Sequence, residues 1–530
     1  MAKNFFKKQF LFLFLILIIG ALLRIYKLSF QSYWLDEARS ILLLLSDYFF
    51  NALKSGFSGD PPLYEFILYF WIKLFGHNEV STRILSSIFS IATLPLMYLT
   101  AKEFFDGDGI GKYKDTFLTT ETSQGIVLRS STSLTNEVSC NKTAIFSTVL
   151  LTFSAYQVYY AQEARMYAFV WFFAVASSLF FIKSLKTGGR GDWIIYLIMT
   201  TCAFYAHYSF LFLLLIQNIF VFTFWRRYRI RLIHWIVIQL VLIMLFLPWV
   251  WIVLIPRLII PAFIKKETYL WIDMPSYKRI LETFIFFIWG HECIIAEYAN
   301  KYLFFCKVFL SLIGVMIFLG IWPALRQKKP FYKKEAVFFM LLWCFLPISV
   351  LYLVSIFITP CYLIRYVGLS LFPAYILIAY SLNKIRVKFL KIFVLAIFLI
   401  PNMFALYRYY NFPVKGEARE IVQYIKSKKT MPDTVLVHGF IEGADAIRYY
   451  YPDIYRVNFF SPDALKEIVE RKGNFWLVLS FGYKEPLEFL KNEGVAEDFG
   501  SIYYLSEKVG LKATRLFFFK RRNTAQRNSS

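Results

Sequence analysis

No two of the six cysteines (Cys140, Cys202, Cys293, Cys306, Cys344 and Cys361) have the spacing of a metal site or a disulfide framework. Scattered, and several of them inside apolar segments, they read as small packing residues. No small-residue cleavage site follows the first apolar run, so that run reads as an uncleaved helix. Acids are scarce as well, 35 against 59 Lys and Arg. The resulting net charge of +24 does not point to nucleic acid, because the basic residues fall in short runs between apolar segments, which is how membrane topology is written. An internal repeat of the kind that builds many transporters is also missing.

What is there is apolar. The 530 residues are 58% hydrophobic and 20% aromatic, with a mean hydropathy of +0.52, which excludes a soluble globule of ordinary composition. With about 20 apolar residues per span and basic flanks taken as cytoplasmic, eleven spans are predicted: 10–28, 80–101, 144–160, 166–185, 192–207, 208–225, 232–255, 302–323, 336–358, 362–382 and 389–408. Lys3, Lys7 and Lys8 hold the N-terminus inside. The stretches 40–54 and 61–75 are too short to span and are expected to lie on the membrane. In the first of them Ser40, Asp47, Asn51 and Lys54 form a polar stripe at helical spacing.

The predicted fold is an α-helical polytopic membrane protein of about eleven transmembrane helices, with two juxtamembrane helices in the first outer loop and a small C-terminal extracytoplasmic α/β domain. Its parts are a membrane domain over 1–410, a polar cytoplasmic insertion at 102–143 and the α/β domain over 411–530. In that domain 416–428 and 463–472 read as helices, Thr434–Val437 and Phe475–Leu479 as strands, and Lys520-Arg521-Arg522 as a solvated terminus. The loop 256–301 resists the scheme. It is basic on the outer side and contains the apolar stretch 280–289, so either a pair of spans is uncounted or the loop is re-entrant.

Charges at membrane depth are expensive unless used, and the ones at the outer ends of spans are few. Asp36 and Glu37 follow the first span, Asp60 precedes Pro61-Pro62, Glu163 and Arg165 follow the third, His207 sits between the fifth and sixth, and Arg365 and Tyr366 begin the tenth. Carboxylates can accept a proton from an attacking hydroxyl, and Arg can hold phosphate oxygens in a fork. Together they suit displacement of a phosphate from a sugar carbon. Each residue also has a plainer reading. Asp36 can cap a helix starting near Ala38 and Asp60 can cap the next one. Glu163 and Arg165 can anchor a helix end among headgroups, His207 can be a packed interfacial histidine, and Arg365 can snorkel. Trp34, Tyr159 and Tyr160 read as aromatic belt.

The strings Trp34-Leu35-Asp36-Glu37-Ala38, Asp60-Pro61-Pro62-Leu63-Tyr64, Tyr160-Ala161-Gln162-Glu163-Ala164-Arg165-Met166-Tyr167, Ala206-His207-Tyr208 and Arg365-Tyr366, in this order, resemble the GT-C membrane glycosyltransferases. The similarity is to the branch related to protein O-mannosyltransferases and the lipid A aminoarabinose transferase. It covers about 10–408 and is strongest over 30–215.

The resemblance implies a polyprenyl- or dolichyl-phosphate sugar as donor, inverting transfer to a hydroxyl acceptor on the extracytoplasmic face, and a multi-pass protein of the cell membrane. It makes Asp36 the general base and Glu163 a second acid. Glu37, Asp60 and Tyr64 become supporting or acceptor-side residues, and Arg165, His207, Arg365 and Tyr366 candidates for the donor phosphate. No cofactor is required; a divalent metal could be held by the outer acids, but no ligand spacing argues for one. The alternative class is a transporter or flippase of lipid-linked glycans. The insertion 102–143 departs from the family pattern, and the tail carries no signature of an acceptor.

Overall fold

The computed structural model describes residues 2–46, 61–105, 141–255, 272–291, 301, 303–326, 331–428, 434–438, 443–452, 457–471, 473–480, 486, 489–490, 499–512 and 514–522. In chain order its helices are α1 (Ala2–Ile25), α2 (Leu35–Leu45), α3 (Leu63–Phe75), α4 (Glu79–Phe105), α5 (141–153), α6 (Ala155–Ala161), α7 (Tyr167–Thr187), α8 (Arg190–Ala206) and α9 (Phe210–Thr223). There follow α10 (Leu232–Trp249), α11 (Lys278–Trp289), α12 (Leu303–Arg326), α13 (Phe331–Phe357), α14 (Leu371–Lys384), α15 (Lys388–Asn411), α16 (Ala418–Lys426), α17 (Ala444–Tyr450) and α18 (Pro462–Arg471).

Among the described residues seven helices are long and apolar enough to cross a membrane: Glu79–Phe105, Tyr167–Thr187, Trp225–Val253, Leu303–Arg326, Lys333–Phe357, Ile364–Lys384 and Lys388–Asn411. The shorter apolar helices Gln9–Ile25 and Phe210–Thr223, with α5 and α8, fall on the remaining expected spans. The chain is a multi-pass membrane protein with a small C-terminal sheet. The insertion expected at 102–143 lies largely outside the described residues.

The chain divides into two compact units. Unit 1 is Met1–Tyr26, Phe50–Trp71 and Arg83–Leu406. Its inner helix α7 is apolar on every side and almost wholly buried, as a helix surrounded by others must be, whereas α12 and α15 leave most of their apolar surface exposed. Small residues permit close approach: a Cβ at Gly20 would meet Leu94 Cδ1 at 2.4 Å.

The expected span 144–160 is broken. Ser154 leaves the helical conformation and its hydroxyl accepts from the Gln157 N–H, a cap that starts a new helix. The freed Ala155 N–H donates to Asn402 Oδ1 (2.8 Å). The same knot seats α11, whose last carbonyls would otherwise be orphaned. The Tyr375 hydroxyl donates to the Phe287 carbonyl (2.5 Å) and shares a hydrogen bond of 2.9 Å with Ser154 Oγ, and Asn402 Nδ2 donates to the Ile288 carbonyl (2.5 Å).

This settles the apolar stretch at 280–289. It is no uncounted span but a 12-residue helix that buries Thr283 and, on all sides of its last turn, Ile285–Trp289. The flanks 256–271 and 292–300 of that loop lie outside the described residues.

Unit 2 is Lys27–Phe49, Ile72–Thr82 and Tyr407–Ser530. Its sheet has the order β2-β1-β3-β5-β4, with β1 Thr434–His438, β2 Val457–Phe459, β3 Phe475–Ser480, β4 Tyr503–Gly510 and β5 Thr514–Arg521. Strands β2, β1 and β3 are parallel, and β5 and β4 are added antiparallel. Side chains alternate between the faces. Val435, Val437, Trp476, Val478, Leu516 and Phe518 pack on Ile421 and Ile447, while Leu436, Leu477, Phe517 and Phe519 pack on Leu465 and Ile468. The expected solvated terminus is corrected here: Lys520 and Arg521 belong to β5, paired with Tyr504 and Tyr503. Flanked by partners on both sides, β5 reads as a continuous apolar run without alternation.

The segment after the first span is fastened to the tail by polar side chains. Gln31 donates to the Tyr409 and Phe412 carbonyls (2.6 and 2.8 Å) and accepts from the Val414 and Lys415 N–H groups (2.9 and 3.2 Å). Arg419 donates to the Ser29 and Phe30 carbonyls, both at 2.9 Å, and pairs with Glu79 at 3.1 Å. Helix α2 then packs on α17. At that approach Gly443 has φ +48°, and a Cβ there would meet Leu35 Cδ1 at 2.5 Å, so only glycine fits. The polar stripe expected on α2 is corrected in part: Ser40 lies on the buried face with Ile41 and Leu44, and Asp47, Asn51 and Lys54 fall outside the described residues.

Candidate functional site

The turn between α6 and α7 carries the Gln162-Glu163-Ala164-Arg165 string, and it is held from three sides of unit 1. Gln162 Nε2 reaches the Leu23, Arg24 and Tyr26 carbonyls at the end of α1, at 3.4, 3.0 and 2.8 Å. Ser87 donates to the Ala161 carbonyl (2.9 Å) and Ser86 to that of Arg165 (3.2 Å). Within the turn the Arg165 N–H donates to the Glu163 carbonyl (2.8 Å).

Arg24, whose carbonyl accepts from Gln162, ties α1 to α4 and α5 through its side chain. Fully buried, it donates to Ser90 Oγ (2.8 Å) and to the Leu151 and Thr152 carbonyls that end α5 (3.1 and 3.4 Å), where a cation also favours the helix dipole.

Glu163 is 1% exposed and the Arg165 side chain only 13%, which corrects the reading of this pair as headgroup anchors. Arg165 instead faces Glu65 of α3, Nη1 to Oε1 at 4.0 Å. The neighbouring Tyr64 hydroxyl is 2.8 Å from Ser86 Oγ, the serine that holds the Arg165 carbonyl. The sequence argument passed over Glu65. An acid inside the otherwise apolar Leu63–Phe75 was the available signal.

One face of α6 carries Tyr156, Tyr159 and Tyr160, all buried, so Tyr159 and Tyr160 are not an aromatic belt. Tyr159 stacks on His291 with centroids 3.7 Å apart and planes 5° from parallel. The Tyr160 hydroxyl and His291 Nε2 share a hydrogen bond of 3.0 Å. Both Glu163 and Arg365 lie within electrostatic reach of Tyr160. His291 was missed as well; it follows α11 directly, and only the packing of that helix against α6 brings it here.

The Tyr156 hydroxyl donates to the Ile364 carbonyl (3.3 Å), at the start of the 3-10 segment Ile364–Ser370. Here Arg365 stands over the ring of its neighbour Tyr366, with 5.7 Å to the centroid. Tyr366 in turn is 5.3 Å from the ring of His207, which is 5.9 Å from that of Tyr167. The backbone N–H of Ser209 donates to His207 Nδ1 (3.0 Å), which leaves the proton of the neutral ring on Nε2. His207 is buried. Unit 1 thus gathers Tyr64, Glu163, Arg165, His207, Arg365 and Tyr366 from the sequence candidates and adds Glu65, Tyr160 and His291. Carboxylates, guanidiniums and imidazoles set among aromatic rings suit a polyanionic group carried on an apolar chain.

Asp36 and Glu37 lie in unit 2, in the first turn of α2, where the helix dipole favours acids. The helix starts at Leu35 and Trp34 is its N-cap position, so Asp36 is not the cap. Glu37 is fully buried and Asp36 partly so. Asp60 lies outside the described residues. Among the described residues no group of three or more His, Cys, Asp or Glu side chains is placed to hold a metal ion.

No protein-family model matches the sequence, and no curated protein matches it. Solved structures do resemble it. ArnT from Cupriavidus metallidurans in the apo state superposes with a TM-score of 0.58 at 13% identity, covering 98% of both chains. The same protein bound to undecaprenyl phosphate gives 0.56 at 12% identity, over 96% of this chain and 97% of that one. The oligosaccharyltransferase of Archaeoglobus fulgidus gives 0.51 at 10% identity, over 89% of this chain and 69% of that one.

Proposed function

Starting from a GT-C membrane fold, we propose that this protein is a glycosyltransferase that moves a sugar from a polyprenyl-phosphate carrier to a hydroxyl acceptor on the extracytoplasmic face of the cell membrane. The observation that carries the reading is the buried charged turn of unit 1. A glutamate and an arginine at positions 163 and 165, each costly in a bilayer by roughly 2.5–3.5 kcal/mol at a helix centre, are fixed there by Gln162, Ser86 and Ser87. The undecaprenyl phosphate bound by the ArnT neighbour supports a phosphorylated polyprenyl chain as the donor's carrier.

In this reading the acceptor oxygen attacks the anomeric carbon opposite the phosphate and its proton passes to Asp36. The bond from that carbon to the phosphate oxygen breaks, and its electron pair leaves with the phosphate. Because the phosphate is a weak base, cations suffice to stabilise it. Arg165 and Arg365 are those cations, with His207 Nε2–H and Tyr366 as further donors. Glu163 is the second acid. Glu37 supports Asp36, and Asp60 and Tyr64 serve the acceptor side.

The test is release of free polyprenyl phosphate from a panel of polyprenyl-phosphate sugars by the purified protein in lipid, beside an Asp36→Asn variant. Release that disappears in the variant is expected and also identifies the sugar, hexose or pentose. No release from any donor, with membrane extract supplied as acceptor, would overturn the reading in favour of a carrier of lipid-linked glycans.

A further inference from the structure

Helices α12, α14 and α15 leave an apolar groove of about 360 Å³ between them, in unit 1 and apart from the charged turn. Its floor is a close contact: a Cβ at Gly320 would meet Ser381 Oγ at 2.4 Å, and Ser381 donates to the Ile317 carbonyl (3.5 Å). Its walls are aliphatic and aromatic, with Val315, Leu319 and Phe393 at 56%, 64% and 41% exposure. From Leu312 to Gly320 the α12 wall is about 12 Å long at 1.5 Å per residue, the length of the upper part of one acyl chain.

The charge at one end of the groove is of a single sign. Lys384 lines it and opens a run in which Lys384, Arg386, Lys388 and Lys391 alternate with apolar residues. Lys384, Arg386 and Lys388 are exposed. No Asp or Glu occurs anywhere in α12, α14 or α15. Clustered cations beside an apolar cleft between spanning helices are the pattern that retains anionic lipid headgroups.

We propose that this groove is a binding site for an anionic glycerophospholipid, with one acyl chain along α12 and the phosphate among Lys384, Arg386 and Lys388. The assignment is independent of the reaction proposed above. The probe is the full-length protein equilibrated in vesicles of equimolar phosphatidylglycerol and phosphatidylcholine, extracted in mild detergent and weighed intact with its bound lipid.

Phosphatidylglycerol should be retained about tenfold over phosphatidylcholine, given a gain of several-fold per cation. The triple variant Lys384→Gln, Arg386→Gln, Lys388→Gln should bring that preference below about twofold. Val315→Trp, which fills the groove from a half-exposed position without touching the charges, should reduce retention of both lipids at unchanged elution volume. Equal retention of the two lipids by the unaltered protein would overturn the proposal. So would displacement of phosphatidylglycerol by equimolar undecaprenyl phosphate, since the occupant would then be the single-chain carrier.

Discussion

The two units treat charge in opposite ways. In unit 1 one set of ionic groups is inside. Arg24, Glu65 and Glu163 are buried and Arg165 is mostly covered, and the guanidinium of Arg24 is spent on backbone carbonyls and a serine. In unit 2 the two cores on either face of the sheet are almost entirely hydrocarbon, and pairs such as Arg39–Asp445 and Lys428–Glu507 sit at the edge. Exposed pairs contribute about 0–1 kcal/mol, whereas removing one partner of a buried pair leaves a charge uncompensated at a cost of about 3–5 kcal/mol. Charge inside unit 1 therefore marks constrained positions, and charge on unit 2 mostly marks a water-facing surface. Buried Lys415 and Glu417 depart from this, and the sharpest exception is Glu37 with the part-buried Asp36, acids in the first turn of a unit-2 helix.

That exception can be broken first. Asp36→Asn should lower polyprenyl phosphate release by about 10²–10⁴-fold, the usual contribution of a positioned base, while leaving the thermal unfolding of the protein in detergent nearly unchanged. Glu65→Gln should do more to stability, removing the carboxylate that faces Arg165 and destabilising unit 1 by about 3 kcal/mol, read as an earlier unfolding transition. If Glu65→Gln left unfolding unchanged, the contrast between the units would fail at its strongest point.

Smaller effects sharpen the comparison. Asn402→Leu deprives the Ala155 N–H and the Ile288 carbonyl of a partner and should cost about 1–3 kcal/mol, with proteolysis increasing in and around α11. Gly443→Ala places a Cβ against Leu35 at a φ/ψ that only glycine adopts comfortably. It should cost about 1–3 kcal/mol and loosen α2 from α17, seen as faster amide exchange over Leu35–Leu45.

The smallest effect belongs to Glu507. Desolvation works to raise its carboxyl, but the Lys428 ammonium and the Tyr424 hydroxyl outweigh it and hold it below the ordinary carboxylate value. A depressed carboxyl contributes its stability above the unfolded pKa of about 4.3 and loses it as pH falls through the lower, folded value. Glu507→Gln should therefore be slightly less stable than the parent at pH 7, and the difference should vanish in acid.

Much of unit 1 was legible in the chain. Apolar runs of span length separated by basic residues placed every expected span but 144–160 on one helical run, because the bilayer demands internal hydrogen bonding and length together. Where the pattern misled, the cause was local and polar. Ser154 reads as one more small residue in an apolar run, and only Asn402 and Tyr375, far along the chain, show why the helix restarts there. Tyr159 and Tyr160 look like belt residues until His291 covers them.

In unit 2 the helices Ala418–Lys426 and Pro462–Arg471 and the first and third strands were readable from period and β-branching, while Ala444–Tyr450 was not expected. Strand β5 was not, since a run buried by neighbours on both sides has no alternation to show.

By itself the sequence determined that this is a many-span membrane protein with an α/β tail, and it singled out the Trp-Leu-Asp-Glu and Gln-Glu-Ala-Arg strings. Hydrophobic length and charge order are properties of neighbours along the chain, so they can be read there. Only the tertiary structure decided that Glu65 faces Arg165, that His291 meets Tyr160, and that Lys27–Phe49 folds with the tail. Those pairings join residues from 100 to some 400 positions apart in sequence. They depend on which polar group is left without water once the apolar surfaces have closed, and no local pattern encodes that.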